Sequence, residues 1–140
     1  IGAKKSGAEY IFDPSEKDFV EKIKALTNSR GADISFEAVG KSETVNSSID
    51  TVRKGGKVVL IGNTSKVIEF PLQKVVTREL KILGSCAIRG EYEVILKLLE
   101  DKRLSVDDQI SAIVPLSEGA EWFSKLYNKE GNLNKVILVP

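Results

Sequence analysis

No histidine occurs among the 140 residues, which removes the commonest general base, proton shuttle and zinc ligand from this chain. Methionine is absent as well, so the sequence is expected to be a piece of a longer protein. One cysteine, Cys86, excludes an internal disulfide framework and fits a reducing compartment, and a cytoplasmic location is expected. Neither sign of charge is in excess: 21 basic and 20 acidic residues leave a net charge of +1. No polyanionic partner is implied, and lysines alternate with glutamates instead of forming the basic patch that nucleic-acid binding requires. The apolar runs, such as Val58 to Ile61, are only four or five residues long, far below the ~20 that cross a bilayer. Neither a membrane span nor a secretory leader is expected.

What is present has the profile of a globular domain, 41% hydrophobic and 29% charged. A chain of this length is expected to bury about two-thirds of the surface it exposes when unfolded.

Periodicity switches repeatedly between short apolar strands and amphipathic helices. Ala8 to Phe12, "AEYIF", reads as a strand closed by the turn pair Asp13-Pro14. Ser15, three residues before Asp18, reads as a capping-box start for a helix whose face is Phe19, Ile23 and Leu26. Ile34 to Val39 is the next strand, followed by a polar helix from Ser42 to about Arg53. Gly55-Gly56 reads as a turn into the strand Lys57 to Ile61. Pro71 suits the first turn of a short helix carrying Leu72, Val75 and Val76, and Leu80 to Leu83 form a strand entering Gly84-Ser85-Cys86. A helix through Val94 to Leu99, a stretch from Ile110 to Val114, a helix opened by Ser117, and a last strand Lys135 to Val139 complete the order. Leu116 is expected to staple that last helix, with Trp122 and Phe123 in its core face.

Strand and helix alternating in this way imply parallel pairing with helices on both faces. Val58 to Ile61 is apolar on both faces, as a covered parallel strand needs to be. The expected fold is an open α/β sheet, doubly wound in three αβα layers, and the whole chain is counted as one domain.

Three successive strands end in Ala38-Val39-Gly40, Ile61-Gly62-Asn63 and Gly84-Ser85-Cys86. In an open parallel sheet ligands lie across the carboxyl ends of the strands. Small residues at three consecutive ends therefore read as a crevice kept clear for something flat. The alternative is that each glycine merely makes its turn, since glycine accepts positive φ.

The segments "GADISFEAVG", "GGKVVLIGN", "LKILGSCAIRGEYE" and "NLNKVILVP" resemble, in order and spacing, the nucleotide-binding domain of the medium-chain zinc-dependent alcohol and polyol dehydrogenases. The opening "AKKSGAEYIFDP" is similar to the end of that domain's second helix and its third strand. The resemblance covers essentially the whole chain and implies a partial Rossmann-like NAD(P)-binding domain at residues 1–140. It further implies an oxidoreductase that moves hydride between NAD or NADP and an alcohol or polyol. By the same resemblance Ala38, Val39 and Gly40 line the cofactor crevice, while Ile61, Gly62 and Asn63 pass beside the nicotinamide. Ser85, Cys86 and Ala87 meet the nicotinamide amide through backbone groups, and Lys135 matches a position that can face the pyrophosphate. For Lys135 a solvated strand-end lysine is the competing reading.

The departures bound what this chain does. The G-x-G-x-x-G fingerprint and the acidic residue that would hold the ribose are absent, so the first βαβ portion of the Rossmann sheet is expected to be missing. The zinc of the full-length enzyme belongs to a separate catalytic domain and is not bound by this chain, which alone is expected to be inactive. Such a fragment exposes strand edges, a liability for aggregation or swapping. The resemblance also implies a homodimer formed through the Leu80 to Ala87 edge strand. A zinc-free reductase of the same superfamily and a stand-alone α/β nucleotide-binding or assembly module are the alternatives.

Among other residues, Cys86 reads as a packed thiol rather than a nucleophile, having no histidine to activate it. Glu37 reads either as a partly buried base with a raised pKa or as hydrogen-bonded structure. The acidic residues Glu91, Glu93, Glu100, Asp101, Asp107 and Asp108 read as a solvated face, without an oxygen-ligand cage pattern.

Overall fold

The computed structural model describes residues 2–140. In chain order its elements are α1 (Gly2–Lys5), α2 (Phe19–Ala25), β1 (Ala32–Glu37), α3 (Ser42–Thr51), β2 (Val52–Leu60), α4 (Leu72–Thr77), β3 (Lys81–Gly84), α5 (Tyr92–Glu100), β4 (Ile110–Pro115), α6 (Gly119–Tyr127) and β5 (Lys135–Val139). Contacts divide the chain into two compact units, Phe12–Ile88 and a second built from Arg89–Pro140 with the residues up to Ile11.

Within Phe12–Ile88 the strands form a parallel sheet in the order β1-β2-β3. Registry aligns Glu37 with Leu60, and Leu60 with Gly84. The last residues of all three strands therefore stand level at one edge of the sheet. Residues Val45 and Ile49 lie one helical turn apart on α3 and so share a face. They bury completely against Val52 and Val58 of β2, with Leu60, Ile68, Val75, Leu80 and Ile82 packed around them. This cluster is the core of the unit, and it fixes the parallel α/β class that the alternating pattern implies.

The Gly55-Gly56 pair lies inside β2 rather than in a turn before it. Ala32 pairs with Val52 and Ile34 with Lys57, so Arg53 to Gly56 bulge out opposite Asp33 alone. Gly55 has a φ of +69° and donates to the carbonyl of Arg78 at 2.8 Å. The bulge is pinned by Arg53 Nε, 2.6 Å from Asp33 Oδ1, and that guanidinium holds the Asp33 carboxyl below the usual carboxylate range. Ser15 does not cap α2: its amide and hydroxyl both donate to Asp13 Oδ1, at 2.8 and 2.7 Å. Asp18 occupies the N-cap position instead, without a side-chain bond.

In the second unit β4 and β5 pair in parallel, from Ala112 with Val136 to Pro115 with Val139. Val114 is buried there. A 3-10 turn at Leu116–Glu118 takes the place of the expected first helical turn, so Glu118 rather than Ser117 precedes α6. With the chain entering by that route Leu116 and Phe123 are exposed, and neither the staple nor the core position of Phe123 is realised. Trp122 is half-buried, donates from Nε1 to Glu118 Oε2 at 3.1 Å and lies under Lys125 Nζ, 4.3 Å from its ring centre.

Residues 8–12 run without regular structure. Their apolar composition reads as a strand, but a strand exists only where a neighbour supplies the ladder. Few side chains are fully buried; the largest among the described residues are Ile49, Val52 and Val58. No described helix is long and apolar enough to cross a membrane.

Candidate functional site

The level strand ends of Phe12–Ile88 carry the candidate site. Beyond β1, the chain turns through Ala38, Val39 and Gly40 into α3; beyond β2, Ile61 to Phe70 cross without regular structure. These two turns are laced together by backbone bonds. The amides of Ile61 and Gly62 both donate to the carbonyl of Glu37, at 2.8 and 3.0 Å, and Ser65 donates to the carbonyl of Gly40 at 3.0 Å. Thr64 Oγ1 adds a bond to the carbonyl of Val39. Farther along, Ser42 Oγ accepts from the Glu69 amide at 3.0 Å, and Asn46 Nδ2 donates to the Glu69 carbonyl at 3.2 Å. An irregular ten-residue segment is thus fastened at both ends, a form of preorganisation that lowers the ordering cost of binding.

Glycine is required here by the chain itself. Gly40 has a φ of +82°, and a Cβ on Gly62 would overlap the backbone of Val39 and Gly40. The structure therefore gives these two glycines a packing reason that needs no ligand. Gly84 differs: a Cβ there would meet nothing within 4 Å.

Between the second and third turns lies an open cleft of about 390 Å³, lined by Leu60 to Asn63 and Gly84 to Ala87. It gathers six of the ten residues singled out in the sequence: Ile61, Gly62, Asn63, Ser85, Cys86 and Ala87. Ser85 fixes its base by donating its amide to the carbonyl of Leu60 at 2.9 Å. Ala87 adopts the left-handed region with a φ of +50°, a conformation that costs a side-chain-bearing residue roughly 1 kcal/mol and concentrates at ligand sites. Cys86 is exposed at the cleft rather than packed, because β3 ends at Gly84, before the thiol would enter the sheet. Ala38 and Val39 are exposed and Gly40 is buried, one strand over, joined to the cleft through the Gly40–Gly62 contact. Lys135 opens β5 in the other unit, exposed.

Glu37 carries more of this site than its sequence reading assigned. It is 3% exposed at the end of β1. Its Oε1 accepts from the amides of Val39 and Gly40, both at 2.8 Å, and from Thr44 Oγ1 at 2.7 Å. Burial pushes its carboxyl up, but the bonds from Gly40, Thr44 and Val39 outweigh it and hold the group below the usual range. The raised-pKa base is therefore not what this environment makes; the hydrogen-bonded reading holds. A glutamate ending an apolar strand, with a glycine three residues on and a threonine seven on, was the available signal.

A larger cleft of about 570 Å³ opens at the amino ends of the strands, with Lys17, Lys24, Arg30, Lys54, Lys74 and Arg78 among its lining. Lys74 pairs with Asp50 at 2.8 Å, and Arg78 donates to the carbonyls of Ile49 and Val52. Those cations complement the carboxyl end of α3, and the carboxyl-end cleft remains the better candidate. Among the described residues no three His, Cys, Asp or Glu side chains come together as a metal site.

A family model for zinc-binding dehydrogenases matches residues 2–101. The chain is 29% identical over 140 residues to an (R,R)-butanediol dehydrogenase of Neisseria gonorrhoeae, covering 99% of this chain and 40% of that protein. It is 34% identical over 115 residues to a sorbitol dehydrogenase of Bacillus subtilis, covering 78% and 32%. Among solved structures, a putative zinc-binding dehydrogenase from Sinorhizobium meliloti, bound to NADP, superposes with a TM-score of 0.83 at 28% identity, covering 99% of this chain and 41% of that one. The chain thus spans about 40% of the length of such relatives. On the family match, which takes in more than half of its residues, this Rossmann-like chain belongs to the zinc-binding dehydrogenase family.

Proposed function

We propose that residues 1–140 form part of the NAD(P)-binding domain of an oxidoreductase that exchanges hydride between a nicotinamide cofactor and an alcohol or polyol. The observation that carries this reading is the cleft at the level ends of β2 and β3, lined by Leu60, Ile61 and Asn63 together with the small residues Gly62, Gly84, Ser85, Cys86 and Ala87. A flat aromatic amide suits such a lining, because apolar side chains can cover a ring face while backbone groups of the small residues hydrogen-bond its carboxamide. The nicotinamide supplies the hydride chemistry when bound. Ile61, Gly62 and Asn63 support one side of it, and Ser85, Cys86 and Ala87 the other. Ala38, Val39 and Gly40 extend the wall, and Lys135 is the candidate cation for the pyrophosphate.

The butanediol and sorbitol dehydrogenases favour a vicinal diol or polyol as substrate, and the NADP-bound neighbour favours a nicotinamide dinucleotide of either kind. With no histidine and one cysteine, this chain does not supply the zinc ligands its family name implies. We assign zinc, and the catalytic groups, to the remainder of the full-length protein. The edge position of β3 supports a homodimer paired through Leu80 to Ala87. The lone cysteine supports a cytoplasmic location.

The test is to supply the full-length protein with NAD or NADP and butane-2,3-diol or sorbitol, and to follow nicotinamide reduction by its absorbance. Turnover with one of the two cofactors is expected. Absence of reduction with any alcohol or polyol would contradict the proposal.

A further inference from the structure

From the geometry at the end of β1 we infer that Glu37 is a positioning residue, whose buried carboxylate sets the Ala38–Gly40 turn and through it the wall of the nicotinamide cleft. The inference rests on the cofactor reading above.

Three observations bear on it. A single oxygen, Oε1, collects two consecutive backbone amides and a helix hydroxyl, all within 2.8 Å. Bonds to an ionised acceptor are roughly twice as strong as neutral ones, so this point holds the turn more firmly than a neutral side chain could. The backbone carbonyl of the same residue takes the amides of Ile61 and Gly62. Glu37 therefore grips the turn after β1 with its side chain and the turn after β2 with its main chain. Finally, the second carboxylate oxygen, Oε2, is buried and meets no donor among the described residues.

That last feature is what a purely structural role does not explain. A buried oxygen without a donor costs folding free energy, which the three bonds to Oε1 offset. A glutamine keeps an acceptor near Oε1 but loses the charge that tightens the three bonds. The Val39–Gly40 amides would then hold a broader range of orientations, and Gly62, in contact with Gly40, would share that freedom. Among the described residues the carboxylate's hydrogen-bond partners are the amides of Val39 and Gly40 and the Thr44 hydroxyl.

The experiment compares wild type with E37Q, T44V and the double variant in the full-length protein. NADH and NADPH dissociation constants come from calorimetry, melting temperature from thermal unfolding, and local opening from hydrogen exchange read by mass spectrometry. Expected for E37Q is a roughly tenfold weaker cofactor affinity, faster exchange confined to residues 38–44, and a modest fall in melting temperature. T44V, which removes one of the three donors, is expected to weaken binding about threefold, and the double variant by less than the product. Cofactor affinity in E37Q within about twofold of wild type would overturn the inference while leaving the cofactor site standing. Loss of affinity together with faster exchange across Ile49 to Val58 would overturn it too, by showing general unfolding, and T44V decides alone should E37Q not fold. A wild-type protein that binds neither cofactor would overturn the site reading and this inference together.

Discussion

Gly40 and Gly62 lie in backbone contact: a Cβ on Gly40 would stand 2.5 Å from both the carbonyl carbon of Gly62 and the amide nitrogen of Asn63. Real Cβ atoms do not come so close to backbone. The element that approaches the end of β2 too nearly for any side chain is thus the turn after β1. The open cleft begins one strand farther on, beside Gly84.

That arrangement separates two kinds of glycine by experiment. Gly62→Ala and Gly40→Ala are expected to destabilise the protein by about 3 kcal/mol or more, since backbone overlap cannot be relieved by a rotamer change. Gly40 bears the added strain of its left-handed conformation. Urea denaturation measures both; midpoints equal to wild type would contradict the contact.

Gly84→Val behaves oppositely. Valine suits a strand position, and the added Cβ points into open space at the cleft. Its melting temperature is expected to match wild type, while NAD(P)H affinity falls at least tenfold. Retained affinity would remove the third strand end from the site.

Ile49, fully buried between Val45, Val52 and Val58, is the packing centre under this edge. Ile49→Ala is expected to cost about 2–5 kcal/mol. Chemical denaturation that places the loss below 1 kcal/mol, on the order of a surface substitution, would show that the core lies elsewhere.

Glu37 gives the site a defined pH response. Its carboxyl is held below its ordinary value, so the bonds to Gly40, Thr44 and Val39 add stability that is fully present above the unfolded glutamate pKa, ordinarily about 4.3. That contribution is lost as pH falls through the lower folded value. Glu37→Gln is expected to flatten this part of the acid limb and to leave the neutral-pH region otherwise parallel to wild type. Unfolding free energies measured from neutral to acid pH check it; identical acid limbs would mean that Glu37 does not titrate with folding.

The legible parts of the sequence were those governed by local chemistry. The apolar runs at Ile34, Val58 and Ile82, and the glycines and small residues that end them, located β1, β2 and β3 and the cleft between two of their turns. Less legible was anything set by a partner across space. Residues 8–12 look like a strand, yet strand pairing depends on a neighbour that local composition does not reveal. The Gly55-Gly56 pair reads as a turn, and only its registry against Asp33 makes it a bulge. Ser15 reads as a cap until Asp13 is seen to take both its donors. Glu37 was visible as an acid in an apolar strand, but the sign of its shift depended on three donors converging in space.

The most direct measurement is a crystal structure of the full-length protein grown with NADH or NADPH. The nicotinamide ring is predicted to lie in the carboxyl-end cleft, against Ile61 to Asn63 on one side and Ser85 to Ala87 on the other. A nicotinamide bound away from both segments, with the cleft filled by protein side chains, would contradict the assignment.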